Sequence, residues 1–246
     1  MNNWWSELYD DQLAEVLLDS SRPEDVAATV RFLVEQLGLA PGARVFDQCA
    51  GTGRLSIPLA QWGADIVAVE QAVAYVEQAR RRADEASVTA RFIAGDAFEV
   101  VPDPPCDAAI NWWTSFGYLP DDAGNARMLR RAFEALVPGG QFALDYPNVP
   151  NVYANWRPHQ IDRVGDIVML RESTLDLAAG LLHKHWTFVS PRGRTERHTT
   201  LKLYPPDRLA ALLASVGFTD VRLLGGIDAQ PIALDSPRCI AIARRP

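Results

Sequence analysis

The chain has 246 residues, of which 48% are hydrophobic, so it can bury the core of one full-sized domain. Its net charge is −7 and its basic residues are mostly dispersed, which argues against a nucleic-acid partner, because binding to phosphates needs a clustered basic face. No apolar run approaches the ~20 residues that cross a bilayer, and the N-terminus does not resemble a signal peptide. The three cysteines have neither metal-ligand nor paired spacing, which indicates free thiols. We therefore expect a cytoplasmic monomer or homodimer with a small-molecule partner and no membrane partner.

Strands and helices are predicted to alternate over the first 150 residues. The apolar spacing and the Pro and Gly boundaries predict helices over 21–38, 54–63, 72–86 and 122–140. Short apolar runs predict strands over 41–48, 65–70, 89–96, 106–113 and 141–146. Strands of this kind form a parallel sheet that is covered on both faces, and such sheets bind ligands at the carboxyl ends of their strands.

The pattern changes after residue 151. The segments 166–176, 181–190 and 195–204 alternate polar with apolar or β-branched residues, which predicts an antiparallel meander. A helix over 205–218 and strands over 221–226 and 239–245 follow. Because helix and strand resume, we interpret 151–200 as an insertion that shapes a substrate pocket, set into a core made of 40–150 and 201–246.

A loop with two glycines follows the first strand, in the sequence RVFDQCAGTGRL. A dinucleotide site would place a third glycine where Ser56 stands, and Asp47 would repel a pyrophosphate. Glu70 ends the second strand, where an acid can accept ribose hydroxyls, and Asp96 ends the third, where an adenine would lie. The acids at successive strand ends therefore predict a nucleoside ligand that has a cationic centre and no pyrophosphate.

These motifs, together with GDAF and LVPGGQFALDYPN, resemble the class I S-adenosylmethionine-dependent methyltransferases, in a bacterial small-molecule branch. The resemblance covers nearly the whole chain. It implies an α/β, Rossmann-like, doubly wound fold, with a mostly parallel seven-stranded sheet and an antiparallel β insertion before the last helix. It also implies a single methyltransferase domain over 1–246, in which residues 1–20 form an N-terminal lid. The family loop often has a further glycine near position 49, where this chain has Cys49.

The resemblance further implies S-adenosyl-L-methionine as cofactor, S-adenosyl-L-homocysteine as product, and no metal. The cofactor-binding residues that it implies come from the lid and the first four strand ends: Tyr9, Asp47, Gly51, Gly53, Glu70, Gln71, Asp96, Ala97, Phe98, Asn111 and Trp112.

Aromatic residues cluster at the N-terminus, after the fourth and fifth strands, and in the meander. Aromatic walls suit a flat or apolar acceptor and can face a sulfonium cation. We therefore predict a substrate-binding set of Trp4, Trp5, Trp113, Phe116, Tyr118, Tyr146 and Trp186, with plain packing of the meander as the alternative for Trp186. The resemblance narrows the expected acceptor to an azapteridine, methylated on nitrogen as in toxoflavin-type secondary metabolism.

Catalytic groups are weakly indicated, because an in-line methyl transfer depends mainly on positioning and can proceed without a strong base. If a base is needed, the candidates are His159, His185 and Asp145, with His183 on the same predicted strand face as His185. His183 and His185 lack a third ligand at a suitable spacing, so we expect no metal.

Three other functions remain open at this stage. A nucleic-acid (RNA) methyltransferase that acts on exocyclic base amines commonly carries Asn/Asp-Pro-Pro-Tyr/Phe after the fourth strand, but the segment 111–114 reads NWWT here. An NAD-dependent oxidoreductase is disfavoured by Ser56 and Asp47. A cofactor-binding protein without catalysis is compatible with the same motifs.

Overall fold

The computed structural model describes residues 22–191 and 193–246. The predicted lid, with Trp4, Trp5 and Tyr9, lies outside the described residues. The helices are α1 (Pro23–Gln36), α2 (Ser56–Trp62), α3 (Val73–Glu85), α4 (Asp122–Glu134), α5 (Val149–Ala154) and α6 (Pro206–Val216). The strands are β1 (Arg44–Gln48), β2 (Asp65–Glu70), β3 (Ala90–Ala94), β4 (Cys106–Asn111), β5 (Leu136–Pro147), β6 (His159–Val164), β7 (Ile167–Asp176), β8 (Leu181–Ser190), β9 (Gly193–Lys202), β10 (Thr219–Leu224) and β11 (Arg238–Arg244).

Seven of these strands form one mostly parallel sheet in the order β10-β11-β5-β4-β1-β2-β3. The first five strands are parallel to one another, whereas β11 runs antiparallel to both β5 and β10. The strand order reverses between β1 and β4, which opens a crevice at their carboxyl ends. The doubly wound, Rossmann-like fold with an antiparallel insertion is therefore confirmed.

The parallel strands are apolar throughout because both faces of the sheet are covered. Val45 and Phe46 are consecutive in β1 and both are fully buried, yet they belong to different apolar clusters. One cluster joins the sheet to residues of α4 and α6, and the other joins it to α1, α2 and α3. Side chains alternate between the faces of a strand, so a strand with two buried faces reads as a continuous apolar run.

Glycines set two boundaries in the core. Helix α2 ends at Gly63, whose φ of 115° lies in the left-handed region that glycine adopts most easily, as the sequence predicted. The prediction of a helix up to residue 140 was wrong, because α4 ends at Glu134 and Leu136 already begins β5. The Pro-Gly-Gly sequence lies inside β5, where a Cβ on Gly140 would meet the Val137 carbonyl oxygen at 2.9 Å.

The insertion forms a second, four-stranded antiparallel sheet in the order β6-β7-β8-β9. The sequence predicted three of its strands. It missed β6 and the short helix α5, because β6 is mostly exposed and its sequence, HQIDRV, is too polar to give a clear alternation. Within the described ranges, no helix is long and apolar enough to span a membrane.

Candidate cofactor site

A cavity opens at the carboxyl ends of β1 to β4, where sheets of this kind bind their ligands. Its lining comes from the loops that follow these four strands and from α3 and α4. The lining residues are Cys49, Ala50, Gly51, Thr52, Arg54, Glu70, Gln71, Tyr75, Asp96, Ala97, Phe98, Trp112, Trp113, Ser115, Tyr118 and Met128. Seven residues predicted to bind the cofactor are thus brought together: Gly51, Glu70, Gln71, Asp96, Ala97, Phe98 and Trp112.

Glu70 ends β2 and holds the glycine loop in place. One carboxylate oxygen accepts the Gly51 backbone N–H at 3.0 Å, and the other accepts the Ala72 backbone N–H at 2.9 Å. The side chain is almost fully buried, and this burial raises the pKa of the carboxyl group. A carboxylate has about four acceptor positions, so the three backbone donors, which come from Gly51, Gln71 and Ala72, leave capacity for a hydroxyl donor from a ligand.

Asp47 lies behind the loop and does not line the cavity. Its carboxylate accepts the Ser56 hydroxyl at 2.6 Å, and burial raises the pKa of Asp47 to about 7. Ser56, which replaces the third glycine of a dinucleotide loop, is the first residue of α2. Asp47 therefore joins the end of β1 to the start of α2, and its direct contact with the cofactor stays a prediction.

Three residues of the glycine loop have positive φ values, which are 67° at Cys49, 56° at Gly51 and 79° at Gly53. Gly53 also lies outside the cavity lining, and a Cβ there would meet Phe92 at 3.1 Å, so its small size serves helix–sheet packing. Cys49 takes a left-handed conformation that favours glycine, which gives a physical reason for the glycine common in the family. Burial and the charges of Glu70, Asp47 and Asp96 raise the pKa of the Cys49 thiol well above its usual range.

The end of β3 supplies an exposed acid beside two buried apolar residues. The Asp96 carboxylate accepts the Phe98 backbone N–H at 2.8 Å, which shapes the turn that presents Ala97 and Phe98 to the cavity. Gln48, which sequence reasoning missed, supports this turn from below by donating to the Ala97 carbonyl at 3.2 Å. The fully buried Asn111 donates to Gln48 at 3.1 Å, so this predicted cofactor residue stands behind the cavity wall.

The loop after β4 has a strained backbone at the cavity edge. Trp113 and Thr114 have φ values of 54° and 63°, a region that side-chain-bearing residues rarely adopt. The Trp113 backbone N–H donates to Asp145 at 3.0 Å, and Arg238 binds the same carboxylate at 2.6 and 2.7 Å. Arg238 also donates to the Thr114 hydroxyl at 2.8 Å. The Arg238–Asp145 ion pair thus fixes the strained turn, and nothing in the sequence pattern marked Arg238.

Arg54 is a second residue that sequence reasoning missed. Its guanidinium carbon lies 3.4 Å from the centre of the Trp113 ring, a cation–π distance, and both residues line the cavity. This contact closes the edge of the cavity between the loops after β1 and β4.

Only some of the aromatic residues that were predicted to bind the substrate line the cavity. Trp113 and Tyr118 line the cavity. Phe116 and Tyr146 are fully buried below it and pack with their ring centres 5.8 Å apart, while the Tyr146 hydroxyl donates to the Lys202 carbonyl. Trp186 lies in β8 of the antiparallel sheet and is also outside the lining.

The predicted catalytic candidates do not line the cavity either. Asp145 is occupied by Arg238 and by the Trp113 backbone N–H. His185 contacts the carboxylates of Glu172 at 3.1 Å and Glu196 at 3.3 Å on the antiparallel sheet. His159 lies in β6 and is paired with Glu172 of β7. The structure therefore does not bring these three candidates together at the cavity.

Among residues 22–191 and 193–246, no group of three His, Cys, Asp or Glu side chains could hold a metal ion. The chemistry of the cavity instead fits a nucleoside. Two carboxylates at successive strand ends, Glu70 and Asp96, can accept from hydroxyl and amino groups, and apolar walls such as Phe98 can enclose a base.

Comparison with known proteins agrees with this reading of the cavity. Residues 45–140 match the family model described as a methyltransferase domain, and this segment contains the glycine loop, β2 to β4 and all of β1 except Arg44. The resemblance to methyltransferases seen in the sequence motifs is therefore confirmed over this segment.

Three particular proteins illustrate the likeness. A demethylmenaquinone methyltransferase of Beutenbergia cavernae is 33% identical over 134 residues, which are 53% of this chain and 50% of that protein. The CcbJ methyltransferase of Streptomyces caelestis has a similar fold with a TM-score of 0.83, at 20% identity and with 97% of this chain and 98% of that chain covered. The sugar N-methyltransferase KedS8 of a Streptoalloteichus species has a TM-score of 0.70, at 22% identity, covering 96% and 95%. The sequence match thus spans half of the first relative, and the structural matches show the shared fold.

Proposed function

We propose that this protein transfers a methyl group from S-adenosylmethionine to a nitrogen or oxygen of a small molecule. The observation that supports this most directly is the placement of Glu70 and Asp96 on one cavity, beside apolar and aromatic walls and a glycine loop. When bound, S-adenosylmethionine supplies an electrophilic methyl group on a sulfonium centre.

The residues of the chain have separate roles in this proposal. Glu70 would hold the ribose hydroxyls, while Asp96, Ala97 and Phe98 would frame the adenine. Gly51 would allow the backbone to approach the amino-acid part of the cofactor. Since the catalytic candidates lie outside the cavity lining, the main contribution of the protein to the rate would be to orient the acceptor toward the methyl carbon.

For the acceptor, we propose a small metabolite with a nucleophilic nitrogen, as in secondary metabolism. Trp112, Trp113 and Tyr118 give one wall of the cavity an aromatic surface, which suits a heterocycle such as a toxoflavin-type azapteridine. An amino sugar is a second acceptor class, because KedS8, a sugar N-methyltransferase, shares the fold over nearly the whole chain. The antiparallel sheet, β6 to β9, would shape the acceptor side of the site.

Isothermal titration with S-adenosylhomocysteine tests the cofactor site. We expect binding to the wild type and a loss of affinity of about 10-fold to 100-fold in Glu70→Ala, because hydrogen bonds to a charged group contribute about 1.5–3 kcal/mol. Glu77→Ala, which removes an exposed acid on α3, is the matched control. Unchanged affinity in Glu70→Ala would refute the assignment of this site.

A screen with a labelled methyl donor tests the acceptor. Azapteridines and amino sugars are incubated in parallel, and a mass shift of one methyl group identifies both the acceptor and the attacked atom. Methyl transfer to RNA would favour a nucleic-acid methyltransferase instead. Reduction of a nicotinamide cofactor would favour an oxidoreductase.

A further inference from the structure

The inner face of the antiparallel sheet carries a group of basic side chains around one tryptophan. The guanidinium carbon of Arg171 lies 5.2 Å from the centre of the Trp186 ring, and the ammonium nitrogen of Lys184 lies 5.4 Å from it. The indole N–H of Trp186 donates to the Thr199 hydroxyl at 3.1 Å, which fixes the ring. Because side chains two residues apart in a strand share a face, Lys184 and Trp186 project to the same side.

This face lies toward the edge of the cofactor cavity. Leu182, which shares this face, lies in one apolar cluster with Phe116 of the loop after β4, and the Lys202 backbone N–H at the end of β9 donates to the Gly117 carbonyl at 2.7 Å. The same loop contains Trp113 and Ser115, which both line the cavity. The face that carries Trp186 and its two cations thus packs against the loop on the side of the cavity where an acceptor would approach.

Two acids lie near these cations, and each already interacts with an arginine. Asp145 is bound by Arg238, and Asp162 of β6 acts on Arg171. Within the described ranges, no acid forms an ion pair with Lys184. Burial and the two neighbouring guanidinium groups, Arg171 and Arg238, lower the pKa of Lys184 to about 8. Cations gathered in a partly buried place repel one another, and an anion bound between them would relieve this repulsion.

We propose that Lys184 and Arg171, held against the Trp186 ring, form a subsite for an anionic group of the methyl acceptor, either a carboxylate or a phosphate. The inference rests on the proposed methyl-transfer function and narrows its substrate class. Arg171 can bind either group in a bidentate manner, while Lys184 adds a point charge.

The test compares compounds that carry an anionic group with counterparts that lack it, by isothermal titration, using protein saturated with S-adenosylhomocysteine. Glucosamine 6-phosphate is paired with glucosamine, and anthranilate with aniline, so the two pairs distinguish a phosphate from a carboxylate. We expect the anionic member of at least one pair to bind about tenfold more tightly or better. Lys184→Ala and Arg171→Ala should each reduce this preference, while Lys184→Arg should retain it. Arg163→Ala, which removes an exposed arginine from β6 of the same sheet, is the control.

A pH titration gives an independent readout that does not need a truncated side chain. The lysine on this face changes charge near pH 8, whereas anthranilate and aniline keep their charge between about pH 7 and pH 9. The preference for anthranilate over aniline should therefore fall over this range in the wild type and persist in Lys184→Arg. Glu172, His183 and His185 project from the opposite face of the sheet and are not expected to contribute.

Two results would overturn the proposal: equal affinity for both members of each pair in the wild type, or a preference that survives in both Lys184→Ala and Arg171→Ala. Each titration is repeated without S-adenosylhomocysteine. If the assignment of the cofactor site alone is wrong, S-adenosylhomocysteine will not bind as expected but the preference for the anionic compound will remain. If the assignment of the anion subsite is wrong, S-adenosylhomocysteine will still bind but the preference will be absent.

Discussion

Asp47 is a buried carboxylate whose ionisation opposes folding. Its usual pKa of 3.8 rises to about 7 in the folded protein, mainly because burial disfavours the charged form. The folded-state pKa is the higher of the two. The contribution of Asp47 to the free energy of unfolding is therefore greatest below pH 3.8, falls as the pH rises between the two values, and levels off above pH 7. A rise of the pKa from 3.8 to about 7 lowers the free energy of unfolding by about 4 kcal/mol at neutral pH and above.

Replacing this carboxylate by an amide should therefore stabilise the protein in a pH-dependent manner. Asp47→Asn keeps an oxygen that can accept the Ser56 hydroxyl but buries an additional N–H₂ group, so we expect a gain of about 2–4 kcal/mol at pH 8. At pH 5 the gain should be smaller by about 2–3 kcal/mol, because the folded wild type is then mostly protonated at Asp47.

Urea unfolding at several values between pH 5 and pH 8 measures this difference. Asp84→Asn, which changes an exposed carboxylate at the end of α3, should show little pH-dependent gain and serves as the control. A gain for Asp47→Asn that is the same at both pH values would refute the reasoning, and so would a loss of stability at pH 8. Titration of the same variant with S-adenosylhomocysteine shows whether Asp47 also contacts the cofactor, in which case its affinity should fall.

Substitutions at three further positions test the loops that form and support the site. Gly53→Ala should destabilise the protein by about 2 kcal/mol or more in urea unfolding, because it combines a φ of 79° with a Cβ contact to Phe92 at 3.1 Å. Arg238→Ala should cost about 3–5 kcal/mol by the same measurement, since it leaves the buried Asp145 without its cation, and an equal effect in an Asp145→Ala background would contradict this pairing. Cys49→Gly should retain S-adenosylhomocysteine binding in titration calorimetry while Cys49→Val should lose stability, because the φ of 67° is unfavourable for a β-branched residue.

The sequence was sufficient to predict the parallel part of the fold. Its strands are buried on both faces, and so they appear as apolar runs that alternate with amphipathic helices. The candidate cofactor residues were predictable for a related reason. Gly51, Glu70 and Asp96 lie at the end of a strand or shortly after it, and the carboxyl ends of parallel strands share one edge. Where the prediction failed, as in β6, the strand is mostly exposed and its polar sequence lacks an alternating signal.

The contacts that stabilise the site were harder to predict because they join residues that are distant in the chain. Gln48 and Asn111 are 63 residues apart, and Arg238 and Asp145 are 93 residues apart. Neither pair has a spacing that marks it, since the neighbours are set by strand order in the sheet: β1 lies beside β4, and β5 beside β11. Once that order is known, Asp145 and Arg238 near the ends of β5 and β11 become an expected pair.

The acceptor side depends on a different kind of information. The sequence indicated which residues of the meander alternate, but it did not indicate which face of that sheet is turned toward the cavity. Lys184 and Trp186 share one face of the sheet, whereas His183 and His185 lie on the other. The face that is turned toward the cavity therefore determines whether basic residues or histidines can contact the acceptor. The histidines were candidates for a general base, and the structure places them on the face away from Lys184 and Trp186. The acceptor subsite that we propose lies on the face of Lys184 and Trp186, which packs through Leu182 against the loop after β4. Recognition of an anion by this face would then explain why a protein of net charge −7 keeps a group of cations in a partly buried place.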